Sequence, residues 1–165
     1  MLDEKKLLLL TEKLKTQEDL HIIFQQLDEY MESMYKSKFI DLSILSNYFS
    51  YSVKQSLIAI MQLHNINEND KSQIIQFFHD LKIVLNQLPT IHIYIGINPS
   101  EHTINAIKSW MVSQLQREVI LDIQVDPKIF GGAIIEYNGY HRDYTINGQI
   151  INLIIDKVKK FSNSN

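Results

Sequence analysis

The sequence predicts an α+β fold, an N-terminal helical bundle followed by a small mixed strand-helix-strand-strand domain with a C-terminal helix. Three observations predict it. Apolar residues recur every three or four positions as far as Leu88, then alternate singly with polar ones from Thr90 onward. No glycine precedes Gly96, which suits helices joined without sharp backbone turns, whereas the later Asn138-Gly139 pair is a strong hairpin signal. Helical runs segregated from mixed elements place a boundary near Pro89 to Ile91. They divide the chain into a bundle at residues 1–89 and an α/β domain at residues 90–165.

Within the first part, Leu2–Leu14 is read as a short helix. Leu20, Ile23, Phe24, Leu27, Met31 and Met34 then form a helical stripe, with Gln25, Gln26, Asp28 and Glu29 opposite. A further run extends from Asp41 to Met61 and is expected to break once around Asn47 to Ser52, where serine, asparagine and aromatic residues weaken helix propensity. Asn65 to Asp70 reads as a loop. Ile74, Phe77, Phe78, Leu81, Val84, Leu85 and Leu88 make the cleanest stripe, and Pro89 ends it by disfavouring helical geometry in the preceding residue.

In the second part, Ile91, Ile93, Ile95 and Ile97 alternate with His92, Tyr94 and Gly96 as a strand with one buried face. Ser100 is placed to cap a helix starting at Glu101, whose inward side is read as Ile104, Ile107, Trp110, Met111 and Leu115. Val119, Leu121, Ile123 and Val125 form the inward face of a second strand, closed by Asp126-Pro127. Gly131-Gly132 leads into a third strand at Ala133–Tyr137. Asn138-Gly139 turns it into a return strand at Tyr140–Tyr144, and a last helix runs from about Ile146 to Phe161, with Ile150, Leu153, Ile154 and Val158 inward.

Composition limits the chemistry. The 165 residues are 45% hydrophobic and 21% charged, enough apolar material for one domain or two small ones to bury a core. With no cysteine there is no disulfide framework, thiolate nucleophile or cysteine-ligated metal centre, so a reducing compartment is tolerated. The apolar run Leu7–Leu10 is too short for a signal peptide, and nothing reaches the ~18 apolar residues of a membrane span, so we expect a soluble chain. Net charge is −3: residues 1–90 hold nine lysines and twelve acids, and residues 91–165 seven basic and seven acidic residues. Lys157, Lys159 and Lys160 are the one basic cluster, far less than phosphate backbones select for, so no nucleic-acid partner is expected.

The six histidines show no metal-ligand spacing. No nucleophile elbow, phosphate loop or dinucleotide fingerprint occurs. Gly131-Gly132 opens a strand rather than a helix, and its ordinary reading is a turn that glycine makes easily. We therefore expect no catalytic, cofactor-binding or metal-binding residues. Met31, Met34, Phe77 and Phe78 are explained by burial, although a small bundle also leaves grooves for a partner helix. Such a groove is placed on Ile74, Phe77, Phe78, Leu81 and Leu85.

The stretches IHIYIGINPSEHTINAIKSW and VILDIQVDPKIFGGAIIEYNGYHRDYTINGQI together resemble the C-terminal region of the ATP synthase delta subunit and oligomycin-sensitivity-conferring protein family. That family shows a strand, a proline-serine helix start, a strand ending in V-D-P, a glycine pair before an apolar strand, and a closing motif entering the last helix. Here the matching positions are Pro99 and Ser100, then Val125, Asp126 and Pro127, then Gly131 and Gly132. Asp143, Thr145, Ile146, Gly148 and Ile150 match the closing motif, and the ordered set spans about residues 91–155.

The resemblance implies a non-catalytic stator subunit of a rotary F-type ATP synthase. Its bundle would hold the N-terminal helices of alpha subunits, and its second domain the C-terminal ends of the b stalk, with Ile150 and Ile154 as stalk contacts. It implies a peripheral position at the cytoplasmic face of a bacterial inner membrane, or the organelle counterpart, with the membrane met only through the complex. Asp126, Pro127, Gly131, Gly132, Asp143 and Gly148 are then expected to serve the fold. The rival readings are a small-ligand or nucleotide-binding regulatory module built on Gly131-Gly132 and the His141 to Asp143 strand, and, ranked last, a hydrolase using His141 and Asp143.

Overall fold

The four long helices among the described residues start at side chains that satisfy otherwise orphaned backbone N–H groups. The computed structural model describes residues 7–37 and 42–147. Helix α1 is a single turn, Leu8–Thr11, and α2 spans Gln17–Lys36. At the start of α2, Thr16 accepts a hydrogen bond from the Asp19 amide while the Asp19 carboxylate accepts from the Thr16 amide, a reciprocal capping box. The break anticipated between Asn47 and Ser52 falls at Phe49 and Ser50, between α3 (Leu45–Tyr48) and α4 (Tyr51–Leu63), with Ser50 capping α4. Asp70 closes the loop and caps α5, Lys71–Asn86.

The apolar faces of α1 to α5 share one core in which Leu10, Leu27, Tyr30, Leu57, Ile60, Phe78 and Leu81 are completely buried. Tyr30 is its aromatic hub, edge-on to Tyr48 at 5.6 Å and to Phe78 at 5.5 Å.

The second core lies under a four-stranded mixed sheet of order β2-β1-β3-β4. Strand β1 is Thr90–Ile95, β2 Ile120–Val125, β3 Ala133–Tyr137 and β4 Tyr140–Asp143. β1 and β2 run parallel, which requires a crossover, and α6 (Glu101–Leu115), capped by Ser100, supplies it. β3 returns antiparallel to β1 and turns into β4 through Asn138 and Gly139, both at positive φ (49° and 77°), as a primed two-residue turn requires. Ile91, Ile93, Met111, Val119 and Leu121 are buried together between α6 and the sheet.

Three inward assignments fail. Ile97 lies past the end of β1 and is exposed, because Gly96 already bends the chain beneath the carbonyl of Ile129. Val125 is exposed because the apolar cluster under α6 reaches along β2 only to Ile123. Trp110 is also exposed, since at ~100° per residue it sits well to one side of the line through Ile104, Met111 and Leu115. The position on that line is Lys108, which is buried. The expected terminal helix lies outside the described residues beyond Asn147.

The glycine pair has a steric reason. Gly132 adopts φ +81°, and a β-carbon there would run into the carbonyl of Tyr144, a backbone atom that cannot swing aside. Gly139 also has positive φ, yet nothing lies within 4 Å of where its β-carbon would be. Gly132→Ala is therefore expected to cost roughly 2–4 kcal/mol, whereas Gly139→Asn stays within about 0.5 kcal/mol of the parent in chemical denaturation.

Candidate interaction surfaces

The five residues on which a partner groove was placed, Ile74, Phe77, Phe78, Leu81 and Leu85, are 0–2% exposed. They point into the chain's own bundle, because the stripe that identifies a helix face identifies the face that helix buries first. A partner cannot lie along them while the bundle is intact. An apolar opening does occur at one end of the same helix. A cleft of about 300 Å³ lies between α1 and the end of α5, walled by Leu7, Leu8, Val84, Leu85 and Leu88, with Gln116, Arg117 and Glu118 along its polar lip. Leu85 belongs to both descriptions, buried on one side and bordering the cleft on the other. Leu8, at 42% exposure, stands at the opening.

The second surface is the sheet face turned away from α6. Strand register aligns Asp122, His92, Glu136 and His141 in one row across all four strands. Side chains in that row pair as neighbours: His92 Nδ1 lies 2.8 Å from Asp122 Oδ2 and His141 Nδ1 lies 2.9 Å from Glu136 Oε1. Tyr94 donates to the second oxygen of Glu136 at 3.4 Å, and the nearby carboxylate pushes the phenol's pKa above its ordinary value. Among the described residues, no three histidine or acidic side chains converge in a way that could hold a metal ion.

The remaining sequence-selected residues hold turns. Asp126 Oδ1 accepts from the Lys128 amide at 3.0 Å, which shapes the Asp126-Pro127 turn after β2. Gly131, at φ +69°, accepts from the Ile146 amide at 3.3 Å, so the glycine pair runs alongside the exit from β4 rather than opening a helix. His141 is hydrogen-bonded to Glu136, while Asp143 accepts from the Thr145 amide at 2.8 Å, so the pair named in the hydrolase reading is committed to separate partners. Gly148, Ile150 and Ile154 lie outside the described residues.

Helical bundle, mixed sheet and these two surfaces define an α+β protein that offers an apolar cleft beside α1 and α5 and a polar face on its sheet. Residues 3–154 match the family described as the ATP synthase delta (OSCP) subunit, and the chain belongs to that family. The match takes in the helical half, beyond the region on which the sequence resemblance rests. Two curated relatives, the ATP synthase subunit delta of Thermotoga petrophila and that of Thermotoga maritima, are each 20% identical over 97 residues, 56% of this chain and 53% of the relative. The chain thus spans about half the length of the curated relatives it matches.

Asp143 provides a test of the turn that follows β4. Hydrogen bonds from Thr145, side chain first and then backbone, hold its carboxyl below the ordinary 3.8. Because the folded pKa is depressed, the stability this group contributes is present above ~3.8 and lost as pH falls through the lower folded value. In an NMR titration of the native protein, the Asp143 carboxyl is expected to titrate below 3.8, and Thr145→Ala to move the midpoint back toward that value.

Proposed function

We propose that this chain is the peripheral-stalk subunit that ties the catalytic head of a rotary F-type ATP synthase to its membrane-anchored stalk. Residues 1–89 would take the head, through N-terminal helices of alpha subunits, and residues 90–165 would take the C-terminal ends of the b subunits. The family match over residues 3–154 carries this reading. On this reading the protein would be a non-catalytic linker, held to the membrane sector through the complex at the cytoplasmic face of a bacterial membrane or its organelle counterpart. Among the described residues no helix is long and apolar enough to cross a membrane.

Rotation of a central shaft exerts an equal and opposite torque on the head, so a stator must hold two partners durably at once. Standard protein interfaces bury ~800 Å² per partner, within reach of each half of a chain this size. For the head, the apolar lining of the cleft between α1 and α5 would receive the anchoring side chains of a partner helix. The buried stripe of α5 would contribute by holding the cleft wall rigid.

Addition of a peptide carrying the alpha N-terminal helix should slow amide exchange in Leu8–Thr11 and at the end of α5, around Val84 to Leu88. At a hundred times its dissociation constant the peptide should add ~2.7 kcal/mol of stability. Stabilisation by nucleotides, with none from the peptide, would favour the regulatory-module reading instead.

A further inference from the structure

We propose that Lys108 is a latch that fixes the sheet part to the helical part, so that the two halves behave as one rigid body. Lysine is among the residues least often fully buried, yet Lys108 is 7% exposed, in the middle of the apolar face of α6. Its stem occupies the inward line between Ile104 and Met111, and its ammonium group crosses into the other half of the chain. There Nζ donates to the carbonyl oxygens of Thr11 at 2.6 Å and Leu14 at 2.7 Å, 97 and 94 residues earlier in sequence. These carbonyls belong to the end of α1 and the segment after it, where the helix ladder stops, and that of Thr11 also accepts from the Leu14 amide at 3.2 Å. Glu118, from the loop entering β2, lies 3.2 Å from the same nitrogen and balances its charge.

Burial draws the Lys108 pKa down and Glu118 draws it up. The group is held by geometry on three sides rather than left as an isolated buried charge.

The contacts flanking this point run between the same two bodies. The Leu121 amide donates to the Lys15 carbonyl at 2.9 Å, and Thr16 forms a parallel bridge with Leu121, so residues 15–16 extend the sheet beyond β2. Gln17 donates to Thr90 Oγ1 at 2.8 Å, and Lys15 pairs with Glu101 at 2.8 Å on the surface. Lys108 is the buried polar side chain of this set. An apolar side chain in its place would take the ammonium partner from the Leu14 carbonyl and the Glu118 carboxylate, and leave the Thr11 carbonyl with the Leu14 amide alone. The direct connection from α5 to β1 is only Gln87–Pro89 and would act as a hinge by itself. With the latch closed, a load on one half reaches the other through the α1–α6 contact as well. That use rests on the stator reading, whereas the latch is a property of the isolated chain.

Two probes separate the halves. The single tryptophan, Trp110, lies on α6 in the sheet part, while most helical residues lie in the bundle. In the parent protein, Trp110 fluorescence and circular dichroism at the helix band should report one coincident denaturation. The Leu121 amide should exchange as slowly as those of β1. Lys108→Met is expected to split the two transitions and to raise Leu121 exchange about tenfold or more, leaving the Leu81 amide in α5 unchanged. Coincident transitions and unchanged Leu121 exchange in Lys108→Met would overturn the latch. Should that variant not fold, the parent decides alone: rapid Leu121 exchange beside protected β1 amides would show that the junction opens freely and would equally overturn it. Neither result bears on whether the chain binds alpha or b subunits, which the peptide experiment reads separately.

Discussion

The start of β2 must be buried from both sides, and much of the architecture follows from that constraint. Successive residues of a strand face opposite ways, so Val119 and Leu121 enter the cluster under α6 while Ile120, between them, enters the core of the helical bundle. All three are completely inaccessible to solvent. A strand that serves two cores needs apolar residues without alternation at the point of sharing, and the run Val119-Ile120-Leu121 supplies them. Asp122 and Gln124 follow, and the polar-outward alternation resumes where the bundle no longer covers that face.

Sharing a strand in this way fixes what lies beside it. The Ile120 amide donates to the carbonyl of Pro89, and the Leu121 amide to that of Lys15, each at 2.9 Å. The residue that terminates α5 and the residue just ahead of α2 are thereby held at the same short stretch of backbone. The capping box at Thr16 then directs α2 away from the sheet into the bundle. Lys108 reaches the same region from α6. Helix ends, strand start and buried ammonium group meet within one region, and the helical half covers the end of the sheet face at Ile120, next to the row that holds His92 and His141.

Element types were legible in the sequence because two periods govern them, and each break has local chemistry behind it: Ser50, Asp70, Ser100, Asn138 with Gly139, and Pro89. Depth of burial was less legible. Trp110 is apolar but lies off the helix stripe, whereas Lys108 is charged and lies on it, at the spacing Ile104, Lys108, Met111, Leu115. Ile120 falls on the side of the alternation that faces away from α6, and only the bundle packed against that side buries it. The stripe from Ile74 to Leu85 likewise reports contact with the chain's own helices rather than a groove for a partner. The cleft beside them could not have been read beforehand, because it depends on where α1 lies against α5, a matter of tertiary packing between residues far apart in sequence.

Four of the positions that carry the family resemblance, Ser100, Asp126, Gly132 and Asp143, have one thing in common, which is that their work is on backbone. Ser100 accepts from the Thr103 amide to start α6, Asp126 accepts from the Lys128 amide, Asp143 from the Thr145 amide, and Gly132 leaves room for the Tyr144 carbonyl. Such roles admit few substitutes, since a cap needs a short acceptor and a left-handed position beside another carbonyl needs the absence of a β-carbon. A helix stripe makes a weaker demand, because leucine, isoleucine, methionine and phenylalanine can all fill a core of conserved volume. In a chain only 20% identical to the relatives it matches, such backbone roles are what make the sheet half readable by its letters, whereas the bundle is readable by its period. The family match nevertheless begins at residue 3 and takes in the bundle. Partner surfaces are freer again: the cleft between α1 and α5 needs an apolar wall that a given partner fits, and its particular residues can change along with that partner.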